Sequence, residues 1–482
     1  MVIPNEVKNI INKLKEVNFE AYIVGGCVRD FLLGADPKDW DVTTNAKPEE
    51  IMAVFPDSFY ENNFLTVTVR TGNADAALAE IEITTYRSEA KYSDKRHPDE
   101  VTYAKTLEED LSRRDFTVNA MAMGTDKKVI DPFLGQEDLK KKIIRTVGVA
   151  DERFGEDALR MLRAVRLAAT LGFDIEKNTV EAIKKNSIWL EAVSQERIRD
   201  ELVKILMGDH PMPGIERLRE LGLLKYVLPE LLENYGIGQN KHHIYDCYQH
   251  ALKALEYTAK KKFNLHVRLA ALLHDVGKPR VKMGEGKEST FYNHEMVGAK
   301  MAFQLLQRLK FSNKDIEKVV TLIRYHMFYY NTDEVTESSV RRLVRNVGPE
   351  NMAELLQLRE ADRIGSGVPK AEPYKLRHLK YTIEKVSKDP ISVRMLKVNG
   401  SDVMRVLGIE PGPKVGQILD VLLGYVLDDP KLNTKEFLEG EIKKLGALYE
   451  KKLAQLAAES KEEKTAEQRK EDEKVKSKYW VK

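Results

Sequence analysis

The sequence predicts an α+β fold in which a small sheet-bearing head precedes a long helical body. Strand signals are concentrated before Asp151, in four short segments: AYIVGG, LTVTVRTG, AEIEITTYR and KKVIDPF. From about Asp151 onward the apolar residues recur at three-and-four spacing, as in QERIRDELVKILMG and GPKVGQILDVLLGYVL. This spacing is typical of amphipathic helices, so we expect the rest of the chain to be almost entirely helical.

Length and composition are those of a soluble globular protein with several domains. The chain has 482 residues, of which 42% are hydrophobic and 32% are charged. Its formal net charge is only +2, so any argument for a nucleic-acid partner depends on local clusters. The two cysteines, Cys27 and Cys247, form no disulfide framework. Because no signal-peptide pattern or membrane-spanning apolar run is present, we expect a cytoplasmic protein without a membrane partner.

The first predicted strand ends in a glycine pair, Gly25 and Gly26, and a helix is predicted to begin at Val28. Glycine has no side chain, so backbone N–H groups at this turn can approach a phosphate closely. The N-terminus of the following helix favours the same anion. Arg29 can add a charge-assisted hydrogen bond. The turn is therefore predicted to bind phosphate.

Two aspartates follow in the segment KDWDV. Residues two apart on a strand share a face, so Asp39 and Asp41 are predicted to project together while Trp40 and Val42 pack behind them. Two carboxylates about 4 Å apart repel by about 4 kcal/mol at an effective dielectric constant near 20. A divalent ion such as Mg²⁺, which binds oxygen ligands and substrate phosphates together, would relieve that repulsion. A solvated strand end is the alternative for an isolated D-x-D pattern.

Together, the glycine pair and the aspartates resemble the nucleotidyltransferase superfamily typified by DNA polymerase beta. The resemblance implies a polymerase-beta-like head, a small mixed sheet with helices, that holds a triphosphate and metal ions. A third carboxylate is usual in that superfamily. Glu82 is our candidate, because Ile81 and Ile83 face the other way. Glu80 shares the face of Glu82 and could be mistaken for it.

Three further motifs resemble the class II tRNA nucleotidyltransferase and bacterial poly(A) polymerase family: SRRDFTVNAMAM, VIDPFLGQEDL and RFGEDALRMLRAVRLAATLGF. The resemblance implies that the glycine and RRD motifs bind the triphosphate and the ribose, and that the RRD aspartate and asparagine distinguish ribose from deoxyribose. By matching position, these nucleotide-binding roles fall on Gly25, Gly26, Arg29, Arg114, Asp115 and Asn119.

The third motif also contains Asp157, Arg160 and Arg163, which we predict to share one face of a helix that begins near Glu156. A carboxylate accepts and a guanidinium donates, so Asp157 with Arg160 can match the Watson–Crick edge of cytosine and, after a small rotation, that of adenine. Such a bidentate contact contributes about 1 to 3 kcal/mol of discrimination. In the family these positions bind the base of the incoming nucleotide. A surface salt bridge is the alternative.

The segment from Ser88 to Leu111 is polar and charged, which predicts a mobile loop. In the family such a loop is needed for the final adenosine addition. Its presence therefore argues against an enzyme that adds only the two cytidines.

Seven of the ten histidines lie between His242 and His326. Their pattern resembles the HD metal-dependent phosphohydrolase domain, and LLHDVGKP is the strongest local signature. We expect a divalent transition metal or Mg²⁺ there, at one or two positions, to activate water on a phosphoester. His242, His243 and His266 do not match, and we expect surface or packing roles for them. A degenerate, structural HD fold is the alternative. The implied ligand set is His250, His274, Asp275, His294, His326 and Asp362.

These motifs suggest a nucleotidyltransferase head at 1–148 and an elongated all-helical remainder. The helical parts are a neck and RNA-binding region at 149–240, an HD domain at 241–365, a tail at 366–450 and a charged C-terminal helix, expected to fray, at 451–482. The basic clusters DLKKKIIR, AKKKFN and VRRLVRNV could contact RNA phosphates, or they could be solvated helix faces.

The resemblance implies a tRNA nucleotidyltransferase that uses CTP, ATP and Mg²⁺ to add or repair the CCA end of tRNA without a nucleic-acid template. It would recognise the acceptor stem and elbow by shape. The HD domain implies an additional phosphohydrolase activity. The closest alternatives are an A-adding enzyme working with a CC-adding partner and a poly(A) polymerase. From other classes, an HD phosphohydrolase with a vestigial head and an RNA-binding protein with an inactive fold remain. The sequence makes no prediction of the oligomeric state.

Overall fold

The computed structural model describes residues 2–61, 65–90, 100–239, 244–332, 334–387 and 393–481. It forms two compact units. The first comprises Met1–Met327 with Glu354–Pro369, and the second comprises Phe328–Ala353 with Lys370–Lys482. The predicted α+β class, with a sheet-bearing head followed by helices, is confirmed. The five finer domain ranges remain predictions.

The head of the first unit is built on a seven-stranded sheet of order β3-β4-β5-β2-β1-β8-β9. Only β2 and β5 run parallel among these neighbours, and the other pairs are antiparallel. Side chains alternate across the pleat, so Val42, Ile81 and Ile83 are fully buried. The strands are β1 (Ala21–Val24), β2 (Asp41–Thr44), β3 (Ser58–Glu61), β4 (Thr66–Arg70), β5 (Glu80–Thr85), β8 (Ala122–Met123) and β9 (Val129–Ile130).

Short helices accompany the sheet. The first of them buries an apolar stripe of Val7, Ile10, Ile11 and Leu14 at three-and-four spacing, as expected for an amphipathic helix. The next begins directly at the glycine turn after β1. The helices of the head are α1 (Asn5–Glu16), α2 (Gly26–Leu33), α3 (Pro48–Val54), α4 (Ala76–Ala79), α5 (Leu107–Ser112) and α6 (Gly135–Lys141).

The segment predicted as a loop from Ser88 to Leu111 contains regular structure. Strands β6 (Arg87–Ala90) and β7 (Glu100–Tyr103) pair antiparallel. The hydroxyls of Ser88 and Thr102 lie 2.8 Å apart across the pair. Strand β6 lacks the alternating apolar residues that identify a half-buried strand, and the alternation in β7 is limited to Val101 and Tyr103, so the sequence pattern did not indicate the pair. Residues 91–99 of the predicted loop lie outside the described residues.

In its described residues, the body of the first unit is helical apart from one strand, β11 (Asp174–Ile175), which pairs parallel with β10 (Ile143–Ile144). This two-residue strand is too short to leave a periodic signal in the sequence. The helices after the head are α7 (Ala150–Glu156), α8 (Arg160–Leu171), α9 (Lys177–Asn186), α10 (Gln195–Leu206), α11 (Pro211–Glu220), α12 (Leu224–Val227), α13 (Pro229–Leu232), α14 (Cys247–Lys260), α15 (Leu265–Leu273), α16 (Lys278–Val281), α17 (His294–Arg308), α18 (Asn313–Tyr325) and α20 (Met352–Gly365).

The second unit is entirely helical in its described residues. Its core includes Ile418, Leu422 and Leu438, which are fully buried. The last helix is charged over most of its length, but Val475 near its end is buried beside Tyr381. No helix in the described residues is long and apolar enough to cross a membrane. The helices are α19 (Glu337–Val347), α21 (Tyr374–Ser387), α22 (Gly400–Leu407), α23 (Pro413–Asp428), α24 (Lys435–Gly446) and α25 (Glu450–Lys478).

Candidate functional site

Carboxylates from two neighbouring parallel strands in the middle of the head sheet lie side by side. Asp41 is the first residue of β2 and lies directly opposite Glu82 of β5. Asp39 precedes the strand by two residues, and Trp40 between the two aspartates is buried. Glu80 pairs in register with Arg70 instead, and their side chains are 3.6 Å apart. The register therefore selects Glu82, not Glu80, as the neighbour of the aspartate pair.

The electrostatic environment of Asp41 suits a cation. Burial, together with the nearby carboxylates of Asp39 and Glu82, raises the pKa of Asp41 to about 6, although Arg114 opposes the shift. Three oxygen-donor side chains that repel one another are the donor set that Mg²⁺ prefers. The residues present therefore fit a divalent ion.

Asp41, Glu82 and Arg114 line a cavity of about 300 Å³, and Gly25 lies beside Arg114. Gly25 has a φ of +86°, and a Cβ atom built there would lie 2.9 Å from a guanidinium nitrogen of Arg114. Only glycine suits both the backbone conformation and this close approach. The buried Nε of Arg114 has no hydrogen-bond partner in the described residues. Arg114 is thus held against the turn with a donor still available.

Asp110 was not identified from the sequence as part of this site. Its fully buried carboxylate accepts a hydrogen bond from Arg113 at 2.7 Å and lies 3.5 Å from Arg114. Thr43 and the backbone N–H of Arg87 also donate to it, at 3.3 and 3.4 Å. Burial raises the pKa of Asp110, but Arg113 and Arg114 outweigh that effect and lower it. The signal that was available is the spacing of three and four residues from Asp110 to the two arginines.

Replacing Asp110 by asparagine is expected to raise the KM for the predicted nucleoside triphosphate about tenfold, because Arg114 loses the charge that orients its guanidinium. Asp138 supplies a matched control. It is also buried in the head and bonded to a threonine and an arginine, Thr117 at 2.7 Å and Arg145 at 3.1 Å. Both variants should lose about 1 to 3 kcal/mol of stability, but D138N should keep the wild-type KM.

Equal KM values for D110N and D138N would contradict a positioning role for Asp110. Steady-state incorporation and thermal denaturation provide the two readouts.

A chain of polar contacts links the other predicted nucleotide-binding residues of the head. The Arg29 guanidinium donates to the Asn119 side-chain oxygen at 2.6 Å, and the Asn119 amide donates to Asp115 at 3.3 Å. Asp115 also accepts from Arg163 at 2.7 Å. Burial raises the pKa of Asp115, but Arg163 and Arg160 outweigh burial and lower it to about 2. The structure thus brings Arg29, Asn119, Asp115 and Arg163 together.

The prediction that Asp157, Arg160 and Arg163 share one helical face is wrong. Helix α7 ends at Glu156, Asp157 has extended backbone (φ −142°, ψ 105°), and α8 begins at Arg160. The Asp157 carboxylate accepts from the backbone N–H of Leu159 at 3.1 Å. An aspartate that bonds its own backbone two residues on forms a turn and interrupts a helix.

Asp157 and Arg160 do not pair with each other, and each has a different protein partner. Asp157 pairs with Arg197 of α10 at 2.7 Å. Arg160 pairs with Glu156 and donates to the carbonyl of Arg113 at 3.2 Å. Arg197 and Glu156 are therefore neighbours of the predicted base-binding residues that the sequence did not identify. Arg197 is 40 residues from Asp157, so no local pattern indicated it.

A second cluster lies in the body, where the six predicted HD residues converge. The Asp275 Oδ2 atom is 3.2 Å from His250 Nε2 and 3.3 Å from His274 Nε2. Its Oδ1 atom is 3.4 Å from His294 Nε2 and 3.8 Å from His326 Nε2. Asp275 thus joins two groups of ligating side chains. The Asp362 Oδ1 atom approaches His250 Nε2 to 3.4 Å.

The histidine orientations are suited to metal binding. His274, His294 and His326 each donate an Nδ1–H to the backbone carbonyl three residues earlier, at 2.9, 2.7 and 2.7 Å. This contact leaves each Nε2 lone pair directed to the cluster. A side chain at Gly277 would overlap the carbonyl oxygen of His294, which explains the glycine in HDVGKP. The donor set of imidazoles and carboxylates fits one or two divalent ions.

Lys278 is an additional member of this cluster that was not predicted. Its buried Nζ donates to Asp275 Oδ2 and to the Gln239 side-chain oxygen, each at 2.6 Å. Burial lowers the pKa of Lys278, but Asp275 outweighs burial and raises it. Lys278 therefore helps to hold the carboxylate that both ligand groups share. The HD-x-x-K spacing was the available signal.

Two of the excluded histidines lie outside the described residues, namely His242 and His243. The third, His266, is partly exposed and lies 2.7 Å from Asp315. It belongs to neither potential ligand group found among the described residues. His326, by contrast, is buried, and burial with the nearby His274 lowers its pKa to about 3. A neutral imidazole is the form that binds metal.

Three family models match the chain: "Poly A polymerase head domain" over residues 21–145, "Probable RNA and SrmB- binding site of polymerase A" over 172–234, and "HD domain" over 242–366. The CCA-adding enzyme of Ligilactobacillus salivarius is 35% identical over 457 residues, covering 92% of this chain and 98% of the relative. The A-adding tRNA nucleotidyltransferase of Deinococcus radiodurans is 34% identical over 415 residues, covering 83% of this chain and 90% of the relative. The crystal structure of the Bacillus stearothermophilus CCA-adding enzyme in complex with CTP matches with a TM-score of 0.59 at 30% identity, covering 91% of this chain and 96% of that chain.

Proposed function

Because this chain belongs to the tRNA nucleotidyltransferase family that includes the CCA-adding enzymes, we propose that it adds or repairs the CCA end of tRNA from CTP and ATP. One observation carries the proposal. Asp41 and Glu82 face each other across parallel strands, beside the Gly25 turn and the guanidinium of Arg114. This arrangement places the proposed metal ligands beside the proposed triphosphate-binding turn.

We propose that Asp39, Asp41 and Glu82 hold Mg²⁺. When bound, Mg²⁺ would lower the pKa of the attacking 3′-hydroxyl and neutralise triphosphate charge. Arg114 and the N-terminal end of α2 would hold the triphosphate. The 3′-oxygen of tRNA attacks the α-phosphorus in line, the bond to the bridging oxygen breaks, and pyrophosphate leaves.

We propose that the contact chain from Arg29 to Arg163 selects the nucleotide. Asn119 and Asp115 would contact the ribose, since their side chains lie together beside Arg29. Asp157 and Arg160 would contact the base, each oriented by its own partner, Arg197 or Glu156. Side chains held by protein partners need no nucleic-acid template to present a fixed set of donors and acceptors.

We propose a phosphohydrolase activity for the HD cluster. His250, His274 and Asp362 would hold one divalent ion, His294 and His326 a second, and Asp275 would contact both. The bound metal, a transition metal or Mg²⁺, would supply an activated water for phosphoester hydrolysis. Terminal or cyclic phosphates on damaged RNA ends are the expected substrates. Removing them would restore the hydroxyl that the head extends.

The test uses three transcripts of one tRNA that end before the CCA, after the first C and after the second C. Each is incubated with labelled CTP or ATP and Mg²⁺. Completion of all three, followed by arrest, is the expected result. A single A added only to the CC-ended transcript would identify an A-adding enzyme, and a long A tail would identify a poly(A) polymerase. If none of the three transcripts is extended, the result would indicate a vestigial head.

tRNA, CTP and ATP are thus the proposed partners of this chain. Shape recognition of the acceptor stem and elbow requires phosphate and sugar contacts in the helical body. The basic cluster VRRLVRNV lies on α19, where the side chains of Arg341 and Arg342 are exposed. The cytoplasmic location remains a prediction from the sequence.

A further inference from the structure

A pocket of about 460 Å³ opens beside the HD cluster, and four of the predicted ligands form part of its lining: Asp275, His294, His326 and Asp362. Pockets of roughly 300 to 1,000 Å³ enclose whole small-molecule ligands. A phosphate group alone would fill only a fraction of this space. The pocket therefore has room for the organic group that carries the phosphate.

The pocket wall carries cationic side chains as well as the predicted ligands. Lys278, Arg359 and Arg363 all line the pocket. Arg359 donates to the Asp362 carboxylate at 2.7 Å, so its guanidinium lies beside a predicted metal ligand. Guanidinium groups bind phosphate oxygens by charge-assisted hydrogen bonds. These cationic side chains are suited to binding the phosphate of a substrate.

The wall also carries aromatic and apolar side chains. Tyr292 lines the pocket although 73% of its surface is exposed, and Phe291 before it is buried. The carbonyl of Phe291 accepts the Nδ1–H of His294 at 2.7 Å, which ties this segment to the metal cluster. Met327, which directly follows His326, also lines the pocket and is 56% exposed. An exposed aromatic ring is a surface on which a nucleobase stacks.

We propose that Tyr292 is a specificity-determining residue of the HD pocket and stacks on the base of a nucleoside phosphate, while the phosphoester lies at the cluster and Arg359. The inference rests on the proposed hydrolase activity. Water attacks phosphorus, the P–O bond to the ribose breaks, and the ribose oxygen takes a proton. The products are inorganic phosphate and a free ribose hydroxyl.

Two secondary-alcohol phosphates test this proposal, because adenosine 3′-monophosphate carries a base and glycerol 2-phosphate does not. Phosphate release is measured with the full-length, metal-loaded protein. Tyr292→Ala should lower the ratio of kcat/KM for the nucleotide over kcat/KM for the glycerol ester about tenfold, and Tyr292→Trp should preserve it. Tyr329 is a matched control, since it is 69% exposed and does not belong to the pocket wall. An unchanged ratio in Tyr292→Ala would overturn the proposal.

A second readout does not depend on hydrolysis. The fluorescence of 2-aminopurine riboside 3′-monophosphate is quenched when its base stacks on an aromatic ring, and wild type should quench it more than Tyr292→Ala. Equal quenching would count against the subsite. If quenching differs but no phosphate is released with Mg²⁺, Mn²⁺, Co²⁺ or Ni²⁺, the subsite stands and the hydrolase proposal fails.

A free nucleotide and an RNA end share the same terminal chemistry, so a third substrate separates them. This substrate is a tRNA transcript that ends in adenosine 3′-phosphate. If Tyr292→Ala slows dephosphorylation of both the transcript and the free nucleotide, the pocket accepts either source. An effect confined to one of them supports the subsite and identifies the source.

Discussion

Replacing Asp41 by asparagine is expected to reduce CMP and AMP incorporation roughly a thousandfold or more, because the variant loses a charged ligand at the centre of the carboxylate cluster. The same change should stabilise the metal-free protein. Burial and the repulsion by Asp39 and Glu82 raise the pKa of Asp41 to about 6. Ionised Asp41 therefore opposes folding, and the neutral asparagine amide removes that cost.

The pH dependence of this stability difference follows from the direction of the pKa shift. A carboxyl group whose pKa is raised on folding contributes stability at low pH and loses it as the pH rises through the folded-state value. The shift from the ordinary value of 3.8 to about 6 corresponds to at most about 3 kcal/mol. In EDTA, Asp41→Asn should unfold at a higher temperature than wild type at pH 8, and the difference should vanish below about pH 4.

Glu80→Gln is the matched control for Asp41→Asn. Glu80 lies on β5 two residues before Glu82, but its partner is Arg70, and it does not line the cavity. Glu80→Gln should incorporate nucleotides like wild type, whereas Glu82→Gln should incorporate them much more slowly. Full activity of Asp41→Asn would refute the metal assignment in the head. Labelled-nucleotide incorporation and thermal denaturation are the measurements.

Replacing His274 by alanine is expected to reduce metal-dependent phosphoester hydrolysis roughly a hundredfold or more, because the cluster loses one imidazole ligand. His274 Nε2 lies 3.3 Å from the shared Asp275 carboxylate and 2.9 Å from His250 Nε2. Nucleotide addition by the head should continue, and it serves as the test that the variant is folded. Bound metal should fall in parallel when measured by elemental analysis.

His266→Ala is the control for His274→Ala. His266 lies in α15, the helix that ends directly before His274, but its imidazole contacts Asp315 and lies outside both potential ligand groups of the described residues. The His266 variant should hydrolyse phosphoesters and bind metal like wild type. If His274→Ala retained full hydrolysis, the proposed active HD centre would be wrong and a structural role for the cluster would be favoured.

Local sequence patterns predicted much of the fold but not all of it. Strands with alternating apolar residues, such as β4 and β5, and the amphipathic helices of the body were predicted because burial imposes a period on the sequence. The antiparallel pair of β6 and β7 was not predicted, because it is held by strand pairing and by polar contacts such as that of Ser88 with Thr102. The start of α8 was misplaced because the side chain of Asp157 bonds the backbone N–H of Leu159.

By itself the sequence determined which chemical groups are present and which local spacings they have: the Gly25 turn, the aspartates two residues apart, and the histidine and aspartate pairs of the body. Only the tertiary structure decided which groups became neighbours. Strand register placed Glu82 opposite Asp41, and a one-residue slip would turn its side chain to the other face. Asp157 pairs with Arg197, and both Asp275 and Asp362 lie near His250. Chain packing brings these residues together, although no local period in the sequence relates them.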